Sequence, residues 1–363
     1  MVTKNNKGMA LGLVIIVMAV LSILGVTLLS LSVASAKLTA HQNKVKQAYY
    51  LAKSGADAVS THLIVNPKDD ILLLSKTSDD NSHFANGTFK VDVTSGASNQ
   101  IKITGTGNVS GLEKSTTAVI RRLTAGELLD KAVYTNSPLD ITGMVVDGDI
   151  QSGGSINYKT NGHGAFDTST YSSLSNSPKY IDTLLPPSTP LYSPENLTVS
   201  GGNVQINSSS KLDSITIEQN NTLEIIANDK VLDIVVETLT AKGDIKITTT
   251  GTGRVNLFVI TKMEVQTKGH INSDEPNDLY IYMQEGSTFD MQAGIVVKAY
   301  IIAPDASAII QSEKSTIYGA LIANKLTKND NTGPNGSVVY VAPENSSEID
   351  YNLKAYKILR WED

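Results

Sequence analysis

The chain of 363 residues has no cysteine, which excludes a disulfide framework, thiolate metal ligands and a cysteine nucleophile. Arginine is nearly missing too, with only Arg121, Arg122, Arg254 and Arg360 present. The 30 basic and 36 acidic residues are interspersed, for a net charge of −6, and form no basic stripe of the kind a nucleic-acid binder needs. Aromatics make up 6% of the chain, while Gly, Asn, Ser and Thr abound; that balance suits short strands and turns better than helical packing. His41, His62, His83, His163 and His270 are scattered, with no H-x-x-H or H-E-x-x-H spacing to hold a metal. A P-loop, a dinucleotide fingerprint and a G-x-S-x-G elbow are absent as well.

What the sequence does have, at its start, is a long apolar run. "GMALGLVIIVMAVLSILGVTLLSLSVASA", from Gly8 to Ala36, carries no charge. As a helix at about 1.5 Å per residue it exceeds the ~30 Å hydrocarbon core of a bilayer, so a membrane-spanning helix is the first reading. A secretory signal cut after Ala36 is the rival, because Ala34-Ser35-Ala36 fits the cleavage pattern, yet the run is about twice the length of a signal core. A buried core helix is the third reading, and it would need a far larger protein around it.

Beyond Lys37 the helical pattern continues one-sidedly. Val45, Ala48, Tyr49, Ala52, Ala56, Val59 and Leu63 recur at three- and four-residue spacing, with Lys44, Lys46, Gln47, Lys53 and Asp57 largely on the other face. Asn66-Pro67 ends the pattern. A plain anchor has no need of such an extension.

A short basic leader, then "KGMALGLVIIV", then "QAYYLAKSGAD" from Gln47 to Asp57, resembles the N-terminal region of PilX-type minor pilins of type IV pilus systems. The likeness covers about residues 4–65, and more loosely the strands to Leu123. It implies a leader of residues 1–8, removed by prepilin peptidase between Gly8 and Met9, and a membrane and stem helix over 9–66. It also implies partnership with the membrane, other pilin-like subunits and the pilus assembly machinery. The N-terminus would be cytoplasmic and the rest extracellular. One departure stands out: where major pilins carry a glutamate at the fifth mature position, this chain has Leu13.

From Asn86 to Leu123 the period changes to two. Phe89, Val91 and Val93, then Ile101 and Ile103, then Thr117 to Ile120 predict a small antiparallel meander over 86–123. Ser95-Gly96 and Gly105-Thr106-Gly107 read as its turns. A short polar helix is expected at Ala125 to Lys131. Residues 132–345 then read as one long β region. Its apolar groups, such as Leu232-x-Ile234-Val235, Val255-x-Leu257, Leu279-x-Ile281 and Tyr300-Ile301-Ile302, return between Asn, Gly, Asp, Ser and Thr. The fold class is mainly β behind a long N-terminal helix. The β region is a right-handed parallel β-helix or, as the alternative, a β-sandwich. Asn and Thr inside units such as "IKITTTGTG" and "VQINSSSKL" favour the solenoid, through stacked polar ladders, although no fixed repeat length can be counted. Ser177 to Leu197, with five prolines, reads as an excursion or a cover over one end. Ala299 to Leu326 resembles the terminal coils of β-helical domains behind pilin-like N-termini, and 346–363 reads as a tail.

Some β-helices cleave polysaccharides, so Asp147, Asp149, Asp274, Glu275 and Asp278 are the carboxylates to weigh. Glycoside hydrolysis needs two carboxyl groups facing each other across ~5–9 Å. Asp and Asn also collect in turns for their own hydrogen bonds. No catalytic residue, cofactor or metal ligand is assigned, and the Asp274–Asp278 loop lacks an EF-hand spacing for calcium. The chain therefore reads as a non-enzymatic surface subunit, a minor, tip or initiator component whose β region serves adhesion or structure toward a carbohydrate or protein ligand. The competing classes are a membrane-anchored carbohydrate-active enzyme and a bactofilin-like polymerising protein, which the Pro-rich excursion disfavours.

Overall fold

A single helix, Lys7–Val65, 59 residues long, forms the N-terminal part of the computed structural model. The residues described are 7–65, 82–84, 87–96, 100–123, 127, 129–141, 144–157, 195–266, 268–273, 275–292, 294–310, 314–328, 336–343 and 356–362. The Asn66-Pro67 stop, residues 125, 126 and 128 of the expected polar helix and the Pro-rich stretch up to 194 lie outside them. The chain divides into two compact units. One comprises residues 1–60, 70–120 and 359–363; the other comprises 61–69 and 121–358.

In the first unit a five-stranded sheet accompanies the helix. Strands Ser82–Phe84, Gly87–Ser95, Gln100–Val109 and Leu112–Arg122 follow in order, and Tyr356–Glu362 from the far end of the chain lies beside Leu112–Arg122. The expected tail thus holds a strand, and the β region of the second unit is inserted between the last two strands of this sheet. Strand Gly87–Ser95 pairs antiparallel with both Ser82–Phe84 and Gln100–Val109, in keeping with the expected meander.

One turn assignment fails. Gly105-Thr106-Gly107 lies within strand Gln100–Val109, and the turn follows at Ser110-Gly111, where both residues have positive φ (54° and 81°). The two strand glycines instead face the helix. A Cβ on Gly105 would come within 2.0 Å of the Ala52 carbonyl oxygen, and one on Gly107 within 2.2 Å of the Ala48 oxygen. The sheet approaches the helix backbone more closely than any side chain permits. Alanines at 48, 52 and 56 supply the small surface on the helix, and all three are fully buried.

The second unit is a parallel β-solenoid, and its parallel ladders exclude the sandwich, whose sheets are antiparallel. One interior ladder runs Val204, Leu223, Ile245, Ile271, Val297, Ile317, Val338 and Val146. A second runs Leu197, Ile215, Leu239, Met263, Phe289, Ala308 and Leu326. A third runs Ile234, Leu257, Ile281, Ile301, Leu321, Val133 and Ile150. Each rung buries one apolar residue under the next, at the ~4.8 Å strand spacing, and a continuous core fills the interior. The equivalent positions Ile234, Leu257, Ile281, Ile301 and Leu321 are 23, 24, 20 and 20 residues apart, which is why no fixed repeat is countable in the sequence. A polar ladder does form, at Thr198, Thr216 and Thr240, and it lies on the outer surface.

The order of rungs departs from chain order. Strands Val133–Thr135 and Ile150–Ser152, first in sequence, stack beyond Thr316–Lys328, which belongs to the last rungs made. Ala299 to Leu326 is therefore not terminal in the stack. Asn196–Val199 and Asn203–Ile206, the next described strands after Asn157, are the outermost at the opposite end of the stack.

Candidate membrane and assembly helix

The residues singled out in the sequence, Gly8, Met9 and Leu13, lie on the N-terminal helix. Every large apolar side chain from Leu11 to Leu38 is exposed, Leu13 at 66% and Leu31 at 69%. Twenty-eight residues at about 1.5 Å each give ~42 Å of helix, enough to cross a bilayer. Leaving so much apolar area in water would be costly, at ~25 cal/mol per Å², and soluble monomers rarely expose a patch of this size.

Four of the six hydroxyl side chains between Leu11 and Thr39 are satisfied within the helix. The hydroxyls of Ser22, Thr27, Ser30 and Thr39 donate to the carbonyl oxygens of Met18, Ile23, Val26 and Ser35, at 2.6–2.9 Å. Such bonds remove the main cost of placing a hydroxyl in hydrocarbon. Gly8 and Met9 fall in the first described turns, so the expected cut would leave a helix beginning at its mature N-terminus.

Past Leu38 the helix changes its surroundings. Val45, Ala48, Tyr49, Ala52, Ala56, Val59 and Leu63 are all buried or half-buried, and Lys44, Lys46, Gln47, Lys53 and Asp57 are exposed. Lys53 Nζ stands 5.4 Å from the centre of the Trp361 ring, so the C-terminal strand also reaches this helix. Within this one-sided pattern, the stretch from Ala48 to Ala56 is the part that meets the sheet at Gly105 and Gly107.

The solenoid holds a second apolar cluster, on the outer side of one face. Val235, Phe258, Tyr280, Tyr282, Tyr300, Ile302, Ile322 and Tyr134 form it, and Leu123 and Leu129 pack against it. Phe258 stacks on Tyr282 at 4.9 Å and Tyr280 on Tyr300 at 5.1 Å. Burial raises the Tyr134 phenol well above its usual pKa. Nearby, Glu127 accepts from Arg121 and, at 2.9 Å, from Lys357, joining the entering and leaving stretches of this unit. Sequence reasoning missed this cluster, although uninterrupted runs such as "LYIYM" and "AYIIA" mark strands buried on both faces.

Some of the weighed carboxylates find local partners. Asp149 pairs with Lys131 at 3.2 Å, and Asp278 accepts from the Glu275 backbone at 3.2 Å. Asp147 lies exposed on strand Val145–Asp147, while Asp274 falls outside the described residues. His270 Nδ1 accepts a long hydrogen bond from the Val296 N–H, at 3.4 Å, between neighbouring rungs. Among the described residues, no three His, Asp or Glu side chains gather as a metal site.

A family profile described as a domain of unknown function, DUF7305, matches residues 211–342, the central part of the solenoid. A search of the curated proteins gives no match. Among solved structures, the competence-associated pilin ComZ from Thermus thermophilus is similar at 10% identity and a TM-score of 0.23, over 88% of this chain and 97% of that one. An ice-binding protein from the Antarctic ascomycete Antarctomyces psychrotrophicus is similar at 12% identity and a TM-score of 0.31, over 61% and 98%. Another, from an Antarctic biological consortium, shows 14% identity and a TM-score of 0.33, over 57% and 91%. At TM-scores below 0.5 these likenesses are too loose to carry a shared function.

Proposed function

We propose that this chain is a non-enzymatic, pilin-like surface subunit, held in the membrane by its N-terminal helix and displaying the solenoid outside. The observation that carries this reading is the continuity of the helix. One uninterrupted element is apolar and exposed from Leu11 to Leu38, then packs its small-residue stripe under its own sheet. A carbohydrate-active enzyme or a polymerising solenoid would need only the anchor.

Orientation rests on the prepilin-type leader. The lysines alone point the other way, with Lys4 and Lys7 before the span and Lys37, Lys44 and Lys46 soon after it. Flank charge governs short loops, however, and long domains translocate largely regardless of it.

Leu13 bears on position within an assembly. A mature N-terminal ammonium among apolar helices costs several kcal/mol unless paired, and Leu13 offers no carboxylate to pair with it. A subunit that starts a filament needs none. With a solenoid this large, we place the chain at a filament tip or as a membrane-held initiator, where the outer domain meets a surface ligand or supports the structure. Immunogold labelling of sheared filaments with an antibody to the solenoid tests this. Labelling confined to ends or to the cell membrane is expected; dense labelling along the filament would make it a major subunit and overturn the role given to Leu13.

A further inference from the structure

The first 56 residues contain no aspartate or glutamate, and Asp57 is the first acid in the chain. Within that acid-free stretch, Lys37, His41, Lys44 and Lys46 follow directly on the apolar span. All four are exposed, and the three lysines form no ion pair with a described residue. At 100° per residue Lys37, His41 and Lys44 fall on one face and Lys46 on the opposite one, so the charge surrounds the helix. Leu38 is the last large exposed apolar residue before Tyr50. Lys37 therefore marks the edge of the hydrocarbon, with Lys44 and Lys46 about 10 and 13 Å further along the axis.

We propose that this collar binds the phosphate groups of anionic lipids in the leaflet on the solenoid side of the membrane. The proposal rests on the membrane reading above. The headgroup layer is ~5–7 Å deep on each side, and lysine side chains bend toward it while their stems stay on apolar surface. Lys37 reaches the phosphates directly, and Lys44 and Lys46 lie within reach of the surface field, whose range is about 8 Å at physiological salt. Charge complementarity and direct continuity with the lipid-facing span favour lipid phosphate over an acidic protein. Because a translocated flank gains nothing from the topology rule, these lysines have no orienting role on that side.

Electron spin resonance of spin-labelled lipids tests the proposal on the full chain in phosphatidylcholine bilayers. The motionally restricted component reports the lipids that touch the helix. Spin-labelled phosphatidylglycerol is expected to be favoured over phosphatidylcholine by about twofold or more, and less so in high salt. Combined Lys37→Gln, Lys44→Gln and Lys46→Gln substitutions should remove most of that preference, while Lys4→Gln with Lys7→Gln at the other end leaves most of it. Equal association of the two lipids with the unaltered chain, the result an acidic protein partner would give, overturns the proposal. So does a preference that survives the triple substitution. If no restricted component is seen in any form of the protein, the membrane reading itself fails, and this proposal with it.

Discussion

Val133 pairs in parallel register with Leu321, 188 positions further along the chain. Rungs made first thus rest on rungs made last, and the solenoid is one cooperative stack closed by a non-local contact. Closing so long a loop adds little to its entropy cost, which grows only logarithmically, but contacts of this range slow folding.

The two residues should therefore be energetically coupled. Leu321→Ala in a fully buried position is expected to cost about 2–5 kcal/mol. Combined with Val133→Ala, the double-mutant cycle in denaturant should show a coupling of roughly 0.5–3 kcal/mol. Strict additivity would mean that the first rungs are not seated on the last.

The helix–sheet contact in the first unit gives a sharper steric test. Gly107→Ala should destabilise by more than about 2 kcal/mol, since the new Cβ meets backbone that cannot move aside. Thr106→Ala, on the opposite side of the same strand, should stay within about 1 kcal/mol. Equal thermal shifts for the two variants would contradict the close approach.

A stop after residue 355 should unseat the same sheet. It removes the buried Tyr356, the Trp361 ring over Lys53, and the Glu362 carbonyl that accepts from the Thr116 hydroxyl at 3.3 Å. It also bares the edge of strand Leu112–Arg122. Limited proteolysis should then cut within residues 87–122 much faster than in the full chain, and unchanged protection would show the last strand to be dispensable.

Alkaline pH should weaken the outer aromatic cluster. Burial raises the Tyr134 phenol, so in the folded chain it stays neutral while the unfolded chain ionises near pH ~10. Its contribution is full below that value and is lost as pH climbs above it. Tyr134→Phe should show a shallower loss of denaturation midpoint between pH 8 and 11. Identical slopes would remove Tyr134 as the cause.

Much of the helix and the class of the β region were legible, because both depend on local periodicity. The stripe from Val45 to Leu63 names its own buried face, and short apolar groups between turn residues announce stacked strands. The Gly105-Thr106-Gly107 segment misled, since glycine serves a close approach as readily as a turn and only the partner helix tells them apart. Rung order was hidden for a different reason: Val133 and Leu321 carry no mark of each other. The outer aromatic cluster was readable in principle, as runs like "LYIYM" break strict alternation. Gly8, Met9 and Leu13 are read from resemblance, and their meaning depends on processing and assembly.

The mature N-terminus, read by intact mass or by Edman sequencing of membrane-extracted protein, tests the central claim most directly. A chain beginning at Met9, with the apolar helix retained and cutting abolished by Gly8→Val, is the expected result. A chain beginning at Lys37 would mean that the helix is a discarded export signal and the protein is released, contradicting the pilin-like reading.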